Sequence, residues 1–222
     1  MRKVITGAFV SMDGVMQAPG GPTEDPTKGF KHGGWVVPYV DEVFGEEVGA
    51  LFGQPFDLLL GRKTYEIFAA HWPFAEGGPD DGIAKKFKTI TKYVASRQGV
   101  DLTWDKSVAL RDAAADVAKL KQEDGPALVT QGSSDLIQTL LAHDLIDEVW
   151  LFVFPVVLGH GKKLFGEGVP ARSFKPSHSR VSGAGVTISR YARVGEVTVG
   201  DYAMAPPTPL EAKRQERMKR EG

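Results

Sequence analysis

The stretch Leu58–Glu66 has the sequence LLLGRKTYE, and the rest of the chain is organised around it. Its three leucines form a short apolar run, which predicts a strand buried on both faces of a sheet. Gly61 ends that run, and helical spacing of apolar residues begins at Arg62. A helix that starts directly after a strand points unpaired backbone N–H groups beyond the sheet edge, where they favour anions. The guanidinium of Arg62 and the hydroxyl of Thr64 suit a phosphate. A plain strand-to-helix turn with a surface arginine is the alternative.

Length and composition exclude several classes of protein. The chain has 222 residues, of which 42% are hydrophobic, enough for one large domain or two small ones. The net charge of -1 favours neither nucleic acid nor a membrane as a partner. The sequence contains no cysteine, which excludes disulfides and thiolate metal sites, and no apolar run approaches the roughly 20 residues of a membrane span. We therefore expect a cytoplasmic protein without a metal site.

Three patterns precede the central stretch. The run Val4–Ser11 predicts a central strand because it is mostly apolar. The segment Gln17–Gly34 is rich in glycine and proline and too long for a plain connection, so we interpret it as a lid over a functional site. Apolar residues at helical spacing predict a helix over Pro38–Phe52.

Strands and helices alternate after the central stretch and give way to a strand-rich end. The predicted elements are a helix near Asp81–Phe87, a strand at Tyr93–Ser96, a helix at Val108–Lys121, a strand at Ala127–Thr130, a helix at Asp135–Ala142, a long strand at Glu148–Leu158 and antiparallel strands within Arg172–Met204. This order predicts an α/β fold with a mostly parallel sheet, helices on both faces and an antiparallel edge. The domain is expected to span 1–205. The charged segment 206–222 is a frayed helix, a partner-docking helix or a disordered tail.

Three predicted strands end in residues suited to a phosphorylated ligand. These ends are Gly61–Thr64, Ser96–Arg97 and Gly132–Ser134. Because the carboxyl ends of parallel strands share one edge of a sheet, ligands bind there. Hydroxyls, glycines and two arginines at that edge predict a dinucleotide with a 2′-phosphate, since arginine is the usual partner of that group. Each turn alone is also a common way to end a strand.

Four motifs carry a family resemblance: Ser11–Val15, Gly61–Glu66, Asp147–Trp150 and Pro155–Phe165. The second is similar to the cofactor turn of dihydrofolate reductases. The other three resemble the C-terminal reductase domain of the bifunctional riboflavin-synthesis deaminase-reductases and its stand-alone bacterial relatives. The resemblance covers about residues 2–204.

The resemblance implies a dihydrofolate reductase-like three-layer fold with a central sheet of about eight strands, NADPH as the hydride donor and a homodimer. By position it implies cofactor-binding roles for nine residues: Gly61, Arg62, Lys63, Thr64, Ser96, Arg97, Gly132, Ser133 and Ser134. Arg62 and the Ser96–Arg97 pair would face the 2′-phosphate, and Lys63 and Thr64 would lie by the pyrophosphate. The Gly132–Ser134 turn would approach the phosphates and the nicotinamide end through backbone N–H groups.

The candidate proton donors are Asp13, Asp41 and Glu42. Asp13 follows the first strand, where it either orients a substrate or caps its own turn. Trp35, Pro38 and Asp41 nearly reproduce the spacing around the substrate-holding acid of dihydrofolate reductases. Alternatively, Asp41 and Glu42 are only charges at a helix N-terminus. The candidate aromatic contacts to a substrate are Trp35, Phe68, Trp72 and Phe154, which stack on a planar heterocycle or belong to the core.

These observations predict an NADPH-dependent oxidoreductase that transfers hydride to a small heterocyclic molecule. The expected activity is similar to that of 5-amino-6-(5-phosphoribosylamino)uracil reductase of riboflavin biosynthesis or of dihydrofolate reductase. A non-catalytic nucleotide-binding or assembly module on the same fold is the alternative, because a fold alone does not establish a reaction. A third hypothesis assigns the segment Leu210–Gly222 to binding a partner protein.

Overall fold

The structure is a computed structural model that describes residues 1–202 and 206–221. Within these residues, eight strands form one sheet: β1 Val4–Ser11, β2 Phe56–Gly61, β3 Lys92–Ala95, β4 Ser107–Leu110, β5 Ala127–Gln131, β6 Glu148–Phe154, β7 Ser173–Val181 and β8 Thr187–Gly195. The strand order is β4-β3-β2-β5-β1-β6-β8-β7. The first six strands in this order, from β4 through β6, run parallel to one another. Strands β8 and β7 are antiparallel to their neighbours. The predicted α/β class and the antiparallel C-terminal edge are confirmed.

Five of the described helices pack against the two faces of the sheet, and the sixth, α6, comes after the last strand in the chain. They are α1 Glu42–Gly53, α2 Arg62–His71, α3 Asp81–Thr89, α4 Ala113–Gln122, α5 Ser134–Ala142 and α6 Pro209–Glu221, with short 3-10 turns at Thr27–Gly29, Val37–Tyr39 and Trp72–Phe74. Buried side chains of α1, α2 and α3 belong to one apolar cluster, and those of α4 and α5 belong to a second. The leucines of β2 explain this arrangement, because Leu58 and Leu60 enter the first cluster and Leu59 enters the second. The strand is thus buried on both faces, as predicted.

The helix predicted over Pro38–Phe52 was placed too early in the chain. Helix α1 begins at Glu42, because the side chain of Asp41 accepts a hydrogen bond from the Phe44 backbone N–H (2.9 Å) and caps the helix there. Val40 is extended, so the preceding residues form a separate 3-10 turn.

The helix predicted over Val108–Lys121 was wrong in its first turn. Residues Ser107–Leu110 form strand β4, which pairs with β3 at the edge of the sheet. The helix begins at Ala113, where Asp112 accepts hydrogen bonds from two backbone N–H groups of the first turn. A four-residue strand is too short to show an alternating pattern of its own. Its residues therefore fitted the helical spacing of the helix that follows.

The C-terminal predictions are tested only in part. The strand predicted over Glu148–Leu158 ends at Phe154, directly before Pro155. The predicted domain end at Ala205 and the residues Met204 and Gly222 lie outside the described residues. Helix α6 has exposed side chains and its own Glu–Arg pairs, such as Glu211 with Arg214. Among the helices of residues 1–202 and 206–221, none is long and apolar enough to cross a membrane.

Lys92, the first residue of β3, is a buried lysine with 0% exposure. Its ammonium group donates a hydrogen bond to the backbone carbonyl of Asp105 (2.9 Å) and lies 4.4 Å from the ring centre of Trp104. Burial lowers the pKa of Lys92 from its ordinary 10.5 to about 8.

The free energy of unfolding is therefore expected to rise as the pH increases from about 8 to about 10.5. In this window the unfolded chain still holds a proton that the folded chain has released from Lys92, so higher pH favours folding, by up to about 3 kcal/mol. Urea unfolding of the wild type and of Lys92→Met, followed across that window, measures the effect. The variant should lack the rise, and parallel pH curves for the two proteins would contradict the prediction.

Candidate functional site

Two of the three predicted phosphate turns meet at one edge of the sheet. Strands β2 and β5 are parallel neighbours, so the turns that follow them, before α2 and α5, lie side by side. The Ser133 hydroxyl accepts a hydrogen bond from the Gly61 backbone N–H (2.9 Å) and donates one to the hydroxyl of Thr64 (2.5 Å). Gly132 and Ser133 both have positive φ, at 93° and 65°. Because Ser133 holds this left-handed conformation without being a glycine, the turn is strained locally and fixed by its side-chain contacts.

Both turns present the N-terminus of a helix without a capping side chain. Gly61 is the N-cap residue of α2 and has no side chain to cap it. Ser133 is the N-cap residue of α5, but its hydroxyl bonds to the neighbouring turn and not to its own helix. The first backbone N–H groups of both helices are therefore left for an anion. Lys63 adds an exposed ammonium that has no ion-pair partner in residues 1–202 and 206–221. This combination suits the phosphates of a dinucleotide.

The third turn lies next to them at the outer rim. Strand β3 is the other parallel neighbour of β2, with Ala95 opposite Gly61, so Ser96 and Arg97 come beside Arg62. Arg62 is partly exposed, and its guanidinium pairs with both carboxylate oxygens of Glu66 (2.7 and 3.0 Å). Arg97 is exposed and unpaired within the described part of the chain.

A cleft of about 700 Å³ opens beside these turns. Of the predicted cofactor residues, Lys63, Thr64, Gly132, Ser133 and Ser134 line it. Arg62, Ser96 and Arg97 do not, and Gly61 contributes only the N–H that holds Ser133 in place.

Within the predicted lid segment Gln17–Gly34, residues 17–25 contribute to one wall of the cleft. The Gln17 amide donates to the carbonyls of Asp25 (2.9 Å) and Thr27 (3.0 Å), and its carbonyl oxygen accepts from the Lys162 backbone N–H (3.0 Å). The ammonium of Lys162 pairs with the Asp25 carboxylate. This glutamine thus fixes the shape of the loop and ties it to the segment that follows β6.

Asp13 does not line the cleft and braces two loops instead. Its carboxylate accepts hydrogen bonds from the Ser11 hydroxyl (2.6 Å) and from the backbone N–H groups of Leu158 (3.0 Å) and Gly159 (2.8 Å). These donors, with Ser11 foremost, lower the pKa of Asp13 to about 2. A carboxylate that is ionised and saturated in this way is unsuited to donate a proton.

Asp41 and Glu42 also lie outside the cleft lining. The Asp41 carboxylate caps α1 and also accepts from the Ala184 backbone N–H (2.9 Å), and the bonds from Phe44 and Ala184 lower its pKa. Glu42 is an exposed first-turn acid. The geometry therefore gives both residues the alternative role, as charges at a helix N-terminus.

The four aromatic candidates divide into two pairs. Phe68 and Trp72 line the cleft. Trp35 is 7% exposed and donates its indole N–H to the Gln17 carbonyl (2.8 Å), whereas Phe154 is 0% exposed and packs edge-on against Trp35. The prediction that Trp35 and Phe154 contact a substrate is corrected, because both belong to the apolar core.

Sequence reasoning missed Glu24, a half-buried carboxylate in the cleft wall. Burial raises its pKa, even though its carboxylate accepts from the backbone N–H groups of Gly20 (2.6 Å) and Gly21 (3.2 Å), which act in the opposite direction. The signal that pointed towards it was the length of the Gln17–Gly34 loop. An irregular loop has no periodicity, however, so no single residue in it was singled out.

Two proteins of Bacillus subtilis (strain 168) are similar to this chain in sequence. The uncharacterized protein YyaP is 27% identical over 188 residues, which are 83% of this chain and 92% of that protein. The uncharacterized protein YwjB is 29% identical over 174 residues, 75% of this chain and 84% of its own.

Two crystal structures share the fold. A riboflavin biosynthesis protein, so described, from Shewanella sp. PV-4 superposes with a TM-score of 0.57 at 24% identity, covering 86% of this chain and 99% of that one. A pyrimidine reductase-like protein from Corynebacterium diphtheriae gives a TM-score of 0.55 at 12% identity, covering 88% and 93%. The model of one protein family matches residues 2–188. The chain therefore belongs to the family of the RibD C-terminal domain.

Proposed function

We propose that this protein is an NADPH-dependent reductase of a small ring-bearing molecule. The observation that carries the proposal is the contact between the turns after β2 and β5, which places two uncapped helix N-termini and Lys63 at one end of a cleft. Membership of the RibD C-terminal domain family supports a reductase reaction.

The donor set fits a dinucleotide phosphate. Lys63, the Thr64 hydroxyl and the N–H groups at Ser134 would hold the pyrophosphate. The guanidinium groups of Arg62 and Arg97 begin at adjacent strand ends, so they suit a 2′-phosphate at the outer rim. Ser96 serves the turn itself, because its hydroxyl donates to the Gly99 carbonyl (2.7 Å).

A reduced nicotinamide, when bound, supplies a hydride to an electrophilic carbon of the substrate. The residues of this chain position the two reactants and limit the access of water, with the Gln17–Gly34 wall on one side. The accompanying proton is assigned to Glu24 or to water. Glu24 is supported because its raised pKa keeps it protonated to higher pH than an ordinary glutamate.

Isothermal titration of the full chain with NADPH and with NADH tests the cofactor assignment. Arg62→Ala and Arg97→Ala are each expected to weaken NADPH binding about ten-fold and to leave NADH binding almost unchanged, because only NADPH carries the 2′-phosphate. Arg180→Ala is the matched control, because this arginine is exposed and paired with a glutamate, as Arg62 is, but lies on β7 at the opposite edge of the sheet.

Equal affinity for the two nucleotides, or equal losses in the variants, would contradict the 2′-phosphate assignment. No binding of either nucleotide would end the proposal of a reductase. NADPH binding without oxidation by any carbonyl or imine compound would favour a non-catalytic nucleotide-binding module.

A further inference from the structure

The part of the cleft away from the phosphate turns is apolar. Side chains from the turn before α1, from α1 itself, from α2 and from the sheet line it: Phe9, Val37, Val40, Phe44, Val48 and Phe68. Phe9 of β1 packs against Phe44 of α1 with ring centres 5.2 Å apart, and this contact holds the helix against the sheet at the cleft. The walls are therefore built of aliphatic and aromatic carbon, the usual lining of a site for a small organic ligand.

Two of these side chains are unusually exposed for apolar residues. Val37 is 57% exposed and Val40 is 56% exposed, and both lie on the cleft. Val37 begins the 3-10 turn before α1 and Val40 follows that turn, in a stretch that the Asp41 cap keeps out of the helix. Exposed apolar groups that adjoin an apolar cleft mark a surface that a ligand covers.

None of the cations that line the cleft offers a substrate phosphate a counter-charge that is both buried and unpaired. Among the described residues of the lining they are Lys63, Lys162 and, when protonated, His71. Lys63 stands at the cofactor turn, and Lys162 is neutralised by Asp25. His71 ends α2 next to Trp72, with ring centres 5.0 Å apart, and is exposed to solvent.

A phosphorylated substrate would thus place a dianion against valine and phenylalanine side chains. Such a charge loses its hydration and finds no fixed counter-charge, which strongly disfavours binding. The exposed carboxylate of Asp80 in the lining adds repulsion.

We propose that the substrate of this protein is a neutral, apolar molecule built on one or two rings, without a phosphate group. This inference rests on the proposed function, because it assumes that the phosphate turns hold the cofactor. Within the reductase family it assigns this chain a substrate that is recognised by shape and apolar contact with the walls around Val40 and Phe44.

The test compares two probes that differ only in a phosphate, 2-naphthol and 2-naphthyl phosphate. Each is titrated calorimetrically into the full chain saturated with NADPH, so that the phosphate turns are occupied. We expect 2-naphthol to bind at least about ten-fold more tightly than its phosphate ester. Equal affinities, a preference for the ester, or no binding of either probe would overturn the proposal.

Val40→Asp is expected to weaken 2-naphthol binding about ten-fold, because it places a charge on the apolar wall. Its control is Val194→Asp, which changes a valine of similar exposure (61%) on β8, outside the cleft lining, and should bind 2-naphthol as the wild type does. Both positions are exposed, so both variants should fold, and their urea unfolding curves verify this. Equal losses in the two variants would show that the probe binds elsewhere and would overturn the proposal.

The NADPH titration keeps the two proposals separate. NADPH binding combined with tighter binding of the ester overturns the substrate class and leaves the cofactor assignment standing. Failure to bind NADPH overturns the cofactor assignment, whatever the two naphthyl probes do.

Discussion

Gly61→Ala is expected to weaken NADPH binding at least about ten-fold while leaving most of the folding stability intact. A β-carbon at position 61 would lie 2.7 Å from the Ser133 hydroxyl oxygen and 2.8 Å from its Cβ, so Ser133 must move. Its hydrogen bonds to the Gly61 N–H and to Thr64 would then be lost, and with them the joint position of the two helix N-termini. Calorimetric titration with NADPH measures the loss, and urea unfolding measures the stability separately.

Two further variants isolate the cause of this effect. Gly45→Ala adds the same methyl group on the outer side of α1, where nothing lies within 4 Å, and should leave NADPH binding unchanged. Ser133→Gly removes the hydroxyl and both of its hydrogen bonds without any collision, so it should weaken NADPH binding to a similar extent as Gly61→Ala. If Gly61→Ala binds NADPH like the wild type, the turns after β2 and β5 do not act as one phosphate site.

Glu47→Ala is expected to lower the free energy of unfolding by about 3 kcal/mol. Glu47 on α1 is 4% exposed and accepts hydrogen bonds from Arg190 (2.5 Å) and His178 (3.0 Å) on the antiparallel strands. The Arg190 guanidinium also stacks on Trp150 at 3.8 Å. Removing the carboxylate would leave that guanidinium half-buried without a counter-charge, which is more costly than losing a surface ion pair.

The neighbouring residue provides the control. Glu46 is exposed and pairs with the exposed Arg180, so Glu46→Ala should change the free energy of unfolding by less than about 0.5 kcal/mol. Burial alone raises the pKa of Glu47, but the bonds from Arg190 and His178 outweigh it, and the net pKa is lowered. The contribution of Glu47 is thus present above the ordinary glutamate pKa and disappears as the pH falls through the lowered value. Equal losses in the two variants would contradict the role given to Glu47.

The sequence predicted the fold class because its strongest signals are local. The apolar run Leu58–Leu60 and the glycine that follows it identify a doubly buried strand and an abrupt turn without any tertiary information. Strand β4 was missed because four residues carry too little periodicity to compete with the helix that follows.

The contact between the turns after β2 and β5 could be predicted, but the surroundings of the candidate acids could not. Residues at the ends of parallel strands share an edge in any such sheet, so Thr64 and Ser133 were expected near each other. The choice of Asp13 and Asp41 failed because backbone N–H groups of nearby turns engage both carboxylates, and sequence spacing does not show which donors lie within reach. The homodimer, the cytoplasmic location and a partner for the charged tail stay predictions.

The tethering of the Gln17–Gly34 segment has a consequence for the energetics of ligand binding. Because the Gln17 amide and the Lys162–Asp25 pair already hold this wall, its conformational entropy is lost during folding and need not be lost again upon association. This segment should therefore change its conformation little when a ligand binds. Its amide hydrogens should exchange slowly both before and after binding.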